Sequence, residues 1–169
     1  QAISYNIEAM YKNKEWLPSI QMYQEHEENL VSAVDQSFEG KQEQIKFHYR
    51  FAEALMELNQ LEQARVRFEK VLLINAAHLP SLKLLGELLV ACSDWSAARD
   101  IYQRVLALIV GQENNDLLHK VYLQLGNCAL QEGQLDTAKS YFQRSMSVQE
   151  GGVKALRGLA EVCFEKREF

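Results

Sequence analysis

A chain that repeats itself at a fixed interval of thirty to forty residues has few folds open to it. Here Phe51-Ala52-Glu53-Ala54-Leu55, the turn Asn59-Gln60-Leu61, and then Ala64, Phe68 and Val71 return 34 residues later. The second copy reads Leu85-Gly86, Leu89, the turn Ser93-Asp94-Trp95, then Ala98, Tyr102 and Val105. A third is offset by 40: Leu125-Gly126, Ala129, the turn Gly133-Gln134-Leu135, then Ala138 and Phe142. A fourth begins 34 after that, with Leu159-Ala160, Cys163 and Phe169. Units of this length cannot bury an apolar face alone, so they stack, and the period marks a helical repeat array.

Within each unit the apolar residues recur every three or four positions, which is helical spacing. Two prolines and eight glycines in 169 residues favour long helices over a turn-rich β fold. The pattern predicts helix pairs at about 43–58 with 61–75, 79–92 with 95–110, and 116–131 with 135–149, and an unpaired helix at 152–166. Pro80 suits a first helical turn, and Asn115 or Asp116 is placed to cap the helix that follows. The six extra residues of the third unit fall to the connector around Gly111–Asn115. Before residue 43 the pattern is worn. Ile3, Ile7, Met10 and Tyr11 suggest a first helix ending at Asn13-Lys14-Glu15, after which Trp16, Ser19 and Tyr23 hold the places of Leu61, Ala64 and Phe68. Ile20, Tyr23, Leu30, Val31, Val34 and Phe38 then extend a helix to about Phe38, or two with a break near Glu27-Glu28, until Gly40 stops it. The acidic run Glu25-His26-Glu27-Glu28 reads as a solvated face.

A small residue after a large apolar one, an apolar residue three later, a turn, alanine twelve after the small residue and an aromatic four beyond it together resemble the tetratricopeptide repeat. The likeness covers about three and a half units over 45–169, starting near 45, 79, 119 and 153, with a degenerate unit in 1–42. Ala76 and Val110 replace the proline usual near a unit's end. The resemblance implies an all-α, right-handed α-solenoid of antiparallel helix pairs. Ala52, Gly86, Gly126 and Ala160 are expected where the helices of a unit cross, with Ala64, Ala98 and Ala138 opposite them, because a large side chain would push the axes beyond close packing. Phe68, Tyr102 and Phe142 would fill the space between units.

The same resemblance implies a groove lined by the first helices. Carried over position by position, it assigns Lys46, Tyr49, Arg50 and Glu53 in the first full unit, and Lys83, Glu87 and Val90 in the second. In the third it assigns Lys120, Leu123, Gln124, Asn127 and Gln131, and in the fourth Lys154, Arg157 and Glu161. Six of these are basic and three acidic on a chain of net charge −5, so the inner surface is expected to be less negative than the outer one. An extended protein or peptide partner, acidic or amide-rich, would fit it. The family's clamp for chaperone tails is matched only at Lys83 and Lys154; Glu87, Gln124 and Gly158 depart from it, and Glu87 would repel an incoming carboxylate.

Chemistry finds little support. Of His26, His48, His78 and His119, no two have helical metal-ligand spacing, and His48 falls on a buried position of its unit. Phosphate loops and nucleophile motifs are absent, so no catalytic residue, metal or cofactor is expected. Net negative charge argues against nucleic acid and anionic membranes, and no apolar run is long enough to span a bilayer. Cys92, Cys128 and Cys163 read as reduced thiols in small apolar slots, which favours a reducing, cytoplasmic setting. The reading is therefore a non-catalytic scaffold that binds a partner's peptide or helix within a larger protein or assembly. The alternative is the substrate-recognition arm of a longer enzyme, since Phe169 falls inside a unit. Gln1 is not an initiator methionine, so an upstream segment is expected. Leu156, Leu159, Val162, Cys163 and Phe164 on an uncapped last helix also suggest self-association.

Overall fold

The computed structural model describes residues 8–32, 38–112, 114–148 and 152–166, with the backbone alone at 26 and 28–32. Among these residues every regular element is helical: α1 Trp16–Ser32, α2 Phe38–Glu57, α3 Leu61–Ile74, α4 Leu79–Ala91, α5 Trp95–Ile109, α6 Asn115–Gln131, α7 Leu135–Val148 and α8 Val153–Lys166. A further helical stretch occupies 8–12. None of these helices is long and apolar enough to cross a membrane. The chain divides into two compact units, Gln1–Ser81 and Leu82–Phe169.

One turn closes every helix pair. Lys14, Asn59, Ser93 and Gly133 occupy the left-handed region, with φ of 59°, 57°, 59° and 74°. In each case the amide of that residue donates to the carbonyl three back and the next amide to the carbonyl five back. Ser93 N reaches Val90 O at 3.0 Å, and Asp94 N reaches Leu89 O at 2.9 Å. These bonds satisfy carbonyls that the ending helix leaves free. The following residue then starts the next helix: the Asp94 side chain accepts from the Ala97 amide at 3.3 Å. At α6 the cap is Asn114, which accepts from the Leu117 amide at 3.1 Å, one residue before the predicted Asn115 or Asp116.

In Gln1–Ser81, α1 packs on α2 and α2 on α3. Tyr23 stacks on Phe51 at 4.9 Å and meets Phe47 edge-on at 5.0 Å. Ser19 and Tyr23 are both buried, as the worn unit's pattern implies. Arg67 lies 4.2 Å over the Phe51 ring and also grips Glu27, one of its two bonds measuring 2.7 Å, while Lys70 reaches the same carboxylate at 3.1 Å. Glu27 is thus part of an internal ion cluster rather than a solvated face. The hydrogen bond from Arg67, ahead of the bond from Lys70, pulls its carboxyl down to about 2. The helix shows no break at Glu27-Glu28, and Gly40 does not end a helix: it lies in the first turn of α2, where amides have no intrahelical partner to lose. Phe38 is 77% exposed and outside the core, whereas Val34 falls outside the described residues.

In Leu82–Phe169 the crossings rest on glycine. A Cβ added at Gly86 would stand 2.8 Å from Cζ of Tyr102, and one at Gly126 would stand 2.6 Å from a ring carbon of Phe142. Ala98 and Ala138 are fully buried, as expected. Ala160 is exposed, and among the described residues no helix follows α8. The close approach passes to Gly158, whose Cβ would lie 2.5 Å from Cζ of Phe142. Cys128 is buried and its thiol is pushed up to about 11 by that burial, but Cys92 sits exposed beyond the end of α4 rather than in an apolar slot. The six extra residues do not form a long loop either. α6 begins four residues before His119, where α4 begins level with its own unit.

Candidate functional site

Within Leu82–Phe169 the first helices of three successive units enclose a cleft of about 270 Å³. Lys83 and Glu87 come from α4, Lys120 and Gln124 from α6, and Lys154 from α8. The helical period explains the convergence: residues four apart share one face, and the repeat presents that face again one unit later. Three lysines and one glutamate therefore line it, on a chain whose total charge is −5. Leu117, Val121 and Leu123 form the apolar part of the lining. Leu117 belongs to the extra turn of α6, so the insertion adds an apolar wall. Asn127 stands beside the cleft and donates to Gln124 Oε1 at 3.3 Å.

Tyr102 also lines the cleft. Its side chain is 4% exposed, and its hydroxyl has no hydrogen-bond partner. Burial, and then the Glu87 carboxylate, raises the phenol well above its ordinary range, so it keeps its proton and remains a donor.

The other carried-over residues go elsewhere. In Gln1–Ser81, Glu8 binds Lys46 at 3.5 Å and Arg50 at 3.3 Å, and the Arg50 guanidinium lies 5.1 Å from the Tyr11 ring centre. Tyr11 donates its hydroxyl to Glu53. The Arg50 hydrogen bond, followed by the Arg50 and Lys46 charges, holds the Glu8 carboxyl below its usual range. Lys46, Arg50 and Glu53 are thus engaged by residues 8–12. Tyr49 packs edge-on against Phe68 and His78, at 6.1 and 5.6 Å. Val90 is half-buried and Gln131 exposed; neither lines the cleft. Arg157 pairs with Glu161 at 3.8 Å on an exposed face of α8. Among the described residues no three His, Cys, Asp or Glu side chains gather as a metal site would require. His48 is buried, and that burial, ahead of the Lys70 and Arg67 charges, lowers it to about 4.

Tetratricopeptide repeat models match residues 45–78, 81–116 and 119–151. The chain belongs to the tetratricopeptide repeat family. No curated protein matches the chain in sequence. Among solved structures, MamA superposes with a TM-score of 0.74 over 95% of this chain and 84% of its own, at 16% identity. MamA 41-end from Desulfovibrio magneticus RS-1 gives 0.75 over 99% and 85%, also at 16% identity. The first TPR of Spaghetti (RPAP3), bound to the HSP90 peptide SRMEEVD, gives 0.63 over 80% and 98% at 12% identity. Identities this low bear on fold alone, and they agree with an all-α solenoid of antiparallel helix pairs.

Tyr102 and Leu117 were not legible as site residues. The tetratricopeptide pattern marks Tyr102 as core, and only its hydroxyl, absent from Phe68 and Phe142, sets it apart. Leu117 precedes the repeat proper, so no unit position points to it.

Proposed function

We propose that this chain is a non-catalytic protein-interaction module whose second compact unit binds an acidic, extended segment of a partner protein in the Lys83–Lys120–Lys154 cleft. The observation that carries this reading is the convergence of three lysines from three helices around one glutamate, against the sign of the whole chain. A cleft concentrates its own field and recruits the opposite charge. The amides of Gln124 and Asn127 suit the main chain of an extended segment. The tetratricopeptide structures described as holding acidic chaperone peptides make such an occupant reasonable for the fold. Chaperone tails are not the occupant proposed here, because Gly158 stands where their clamp requires arginine and Phe142 leaves no room for a side chain there. Residues 1–42 are proposed as a degenerate unit, on the strength of the Lys14 turn.

Fluorescence anisotropy with labelled hexaglutamate tests the reading. Saturable binding is expected, stronger than to hexaglutamine and weakened as salt rises. Reversing Lys83, Lys120 and Lys154 together to glutamate is expected to cost at least about tenfold in affinity. Absence of saturable binding, or equal affinity in the triple variant, counts against it.

A further inference from the structure

The cleft floor contains a group that the packing does not explain. At the matching position of the other matched units stand Phe68 and Phe142, both fully buried. A phenyl ring therefore satisfies the fold at this place. Among the three matched units Tyr102 alone adds a hydroxyl, which is buried and unpaired; in the worn unit Tyr23 holds the place. Leaving a buried polar group without a partner is costly, and native proteins rarely tolerate it without a reason. The absence of a side chain at Gly86 lets the hydroxyl end of the ring lie against α4, because a Cβ there would meet the Tyr102 ring at 2.8 to 3.2 Å. Tyr102 itself belongs to the lining shared with Lys83, Lys120 and Lys154.

We infer that Tyr102 is a specificity-determining residue: its hydroxyl donates a hydrogen bond to the carboxylate of an aspartate or glutamate side chain that the bound segment inserts to the cleft floor. This rests on the acidic-segment reading above. A phenol with its proton supplies a donor and leaves the ligand's charge intact, while the lysines at the rim offset that charge. The bond is charge-assisted and largely shielded from water, which makes it stronger than one formed at the surface. A glutamine in the same place would still accept from the phenol but would lose the charge–charge attraction of the ammonium groups. Glu87 opposes the carboxylate, yet the lysines outnumber it three to one. The free protein carries an unpaired donor, and the complex pairs it.

The test compares wild type with Tyr102→Phe by anisotropy against hexaglutamate and hexaglutamine, and by thermal melts without peptide. The inference expects Tyr102→Phe to melt at the same or a higher temperature, to bind hexaglutamate about tenfold more weakly, and to discriminate less against hexaglutamine. Undiminished binding in Tyr102→Phe, with wild type binding well, overturns the role of Tyr102 and leaves the cleft reading standing. A clear fall in the melting temperature of the peptide-free variant also overturns it, since the hydroxyl would then have a partner within the fold. Failure of wild type to bind hexaglutamate overturns both.

Discussion

At the scale of single residues, the fold depends on where side chains are missing. Phe142 lies against both Gly126 and Gly158, and a methyl group at either would come within 2.6 Å of its ring. Alanine is the better helix former by about 1 kcal/mol, so the two effects oppose each other. Because the ring also lies against α8 at Gly158 it has little room to retreat, and Gly126→Ala is predicted to destabilise by about 1–3 kcal/mol in urea titrations. Adding Phe142→Leu should recover part of the loss; a stabilised Gly126→Ala would refute the placement. The role of Gly126 was legible because the repeat marks it as a crossing. That of Gly158 was not, since Ala160 holds the marked position of the unit. His48 supports a second prediction. Its folded value of about 4 lies below the ordinary 6.5, so between these values the unfolded chain binds more protons. The associated stability is fully present above pH 6.5 and is lost as pH falls toward 4. Lowering the pH from 7 to 5 should cost wild type about 2 kcal/mol through His48, and His48→Leu should lose most of that slope. His78, also lowered by burial, adds in the same direction, whereas Glu27 contributes only below about pH 4.5. An unchanged slope in His48→Leu would contradict the assignment.

At the scale of elements, the turn is the repeated unit of construction. Asn59, Ser93 and Gly133 perform one task with three residue types, and only glycine adopts that backbone without steric cost. Substitutions at matching positions should therefore have opposite signs. Ser93→Gly is predicted to raise stability by about 0.5–1 kcal/mol, and Gly133→Ala, which meets no atom within 4 Å, to lower it by about 1 kcal/mol through backbone strain alone. Chemical denaturation of both variants checks this, and two shifts of the same sign would contradict it. Helix boundaries were readable to within a residue or two from α3 to α8 because turn and cap residues recur there. They were least readable around Gly40, where no repeat supplies a register and glycine admits either a stop or a first turn.

At the scale of the molecule, the lysine cleft was half visible in the sequence. The repeat places Lys83, Lys120 and Lys154 one unit apart, and the structure brings them around a common space. The parallel expectation for Lys46, Arg50 and Glu53 could not anticipate Glu8 and Tyr11, because residues 8–12 belong to the worn unit, whose register the pattern no longer specifies. The most direct test of the central claim is amide NMR of the labelled chain titrated with hexaglutamate. The largest shift changes are predicted at Lys83, Glu87, Tyr102, Lys120, Gln124 and Lys154, with α3 unmoved. Changes centred on α3 or on the exposed face of α7, or no saturable change at all, would contradict it.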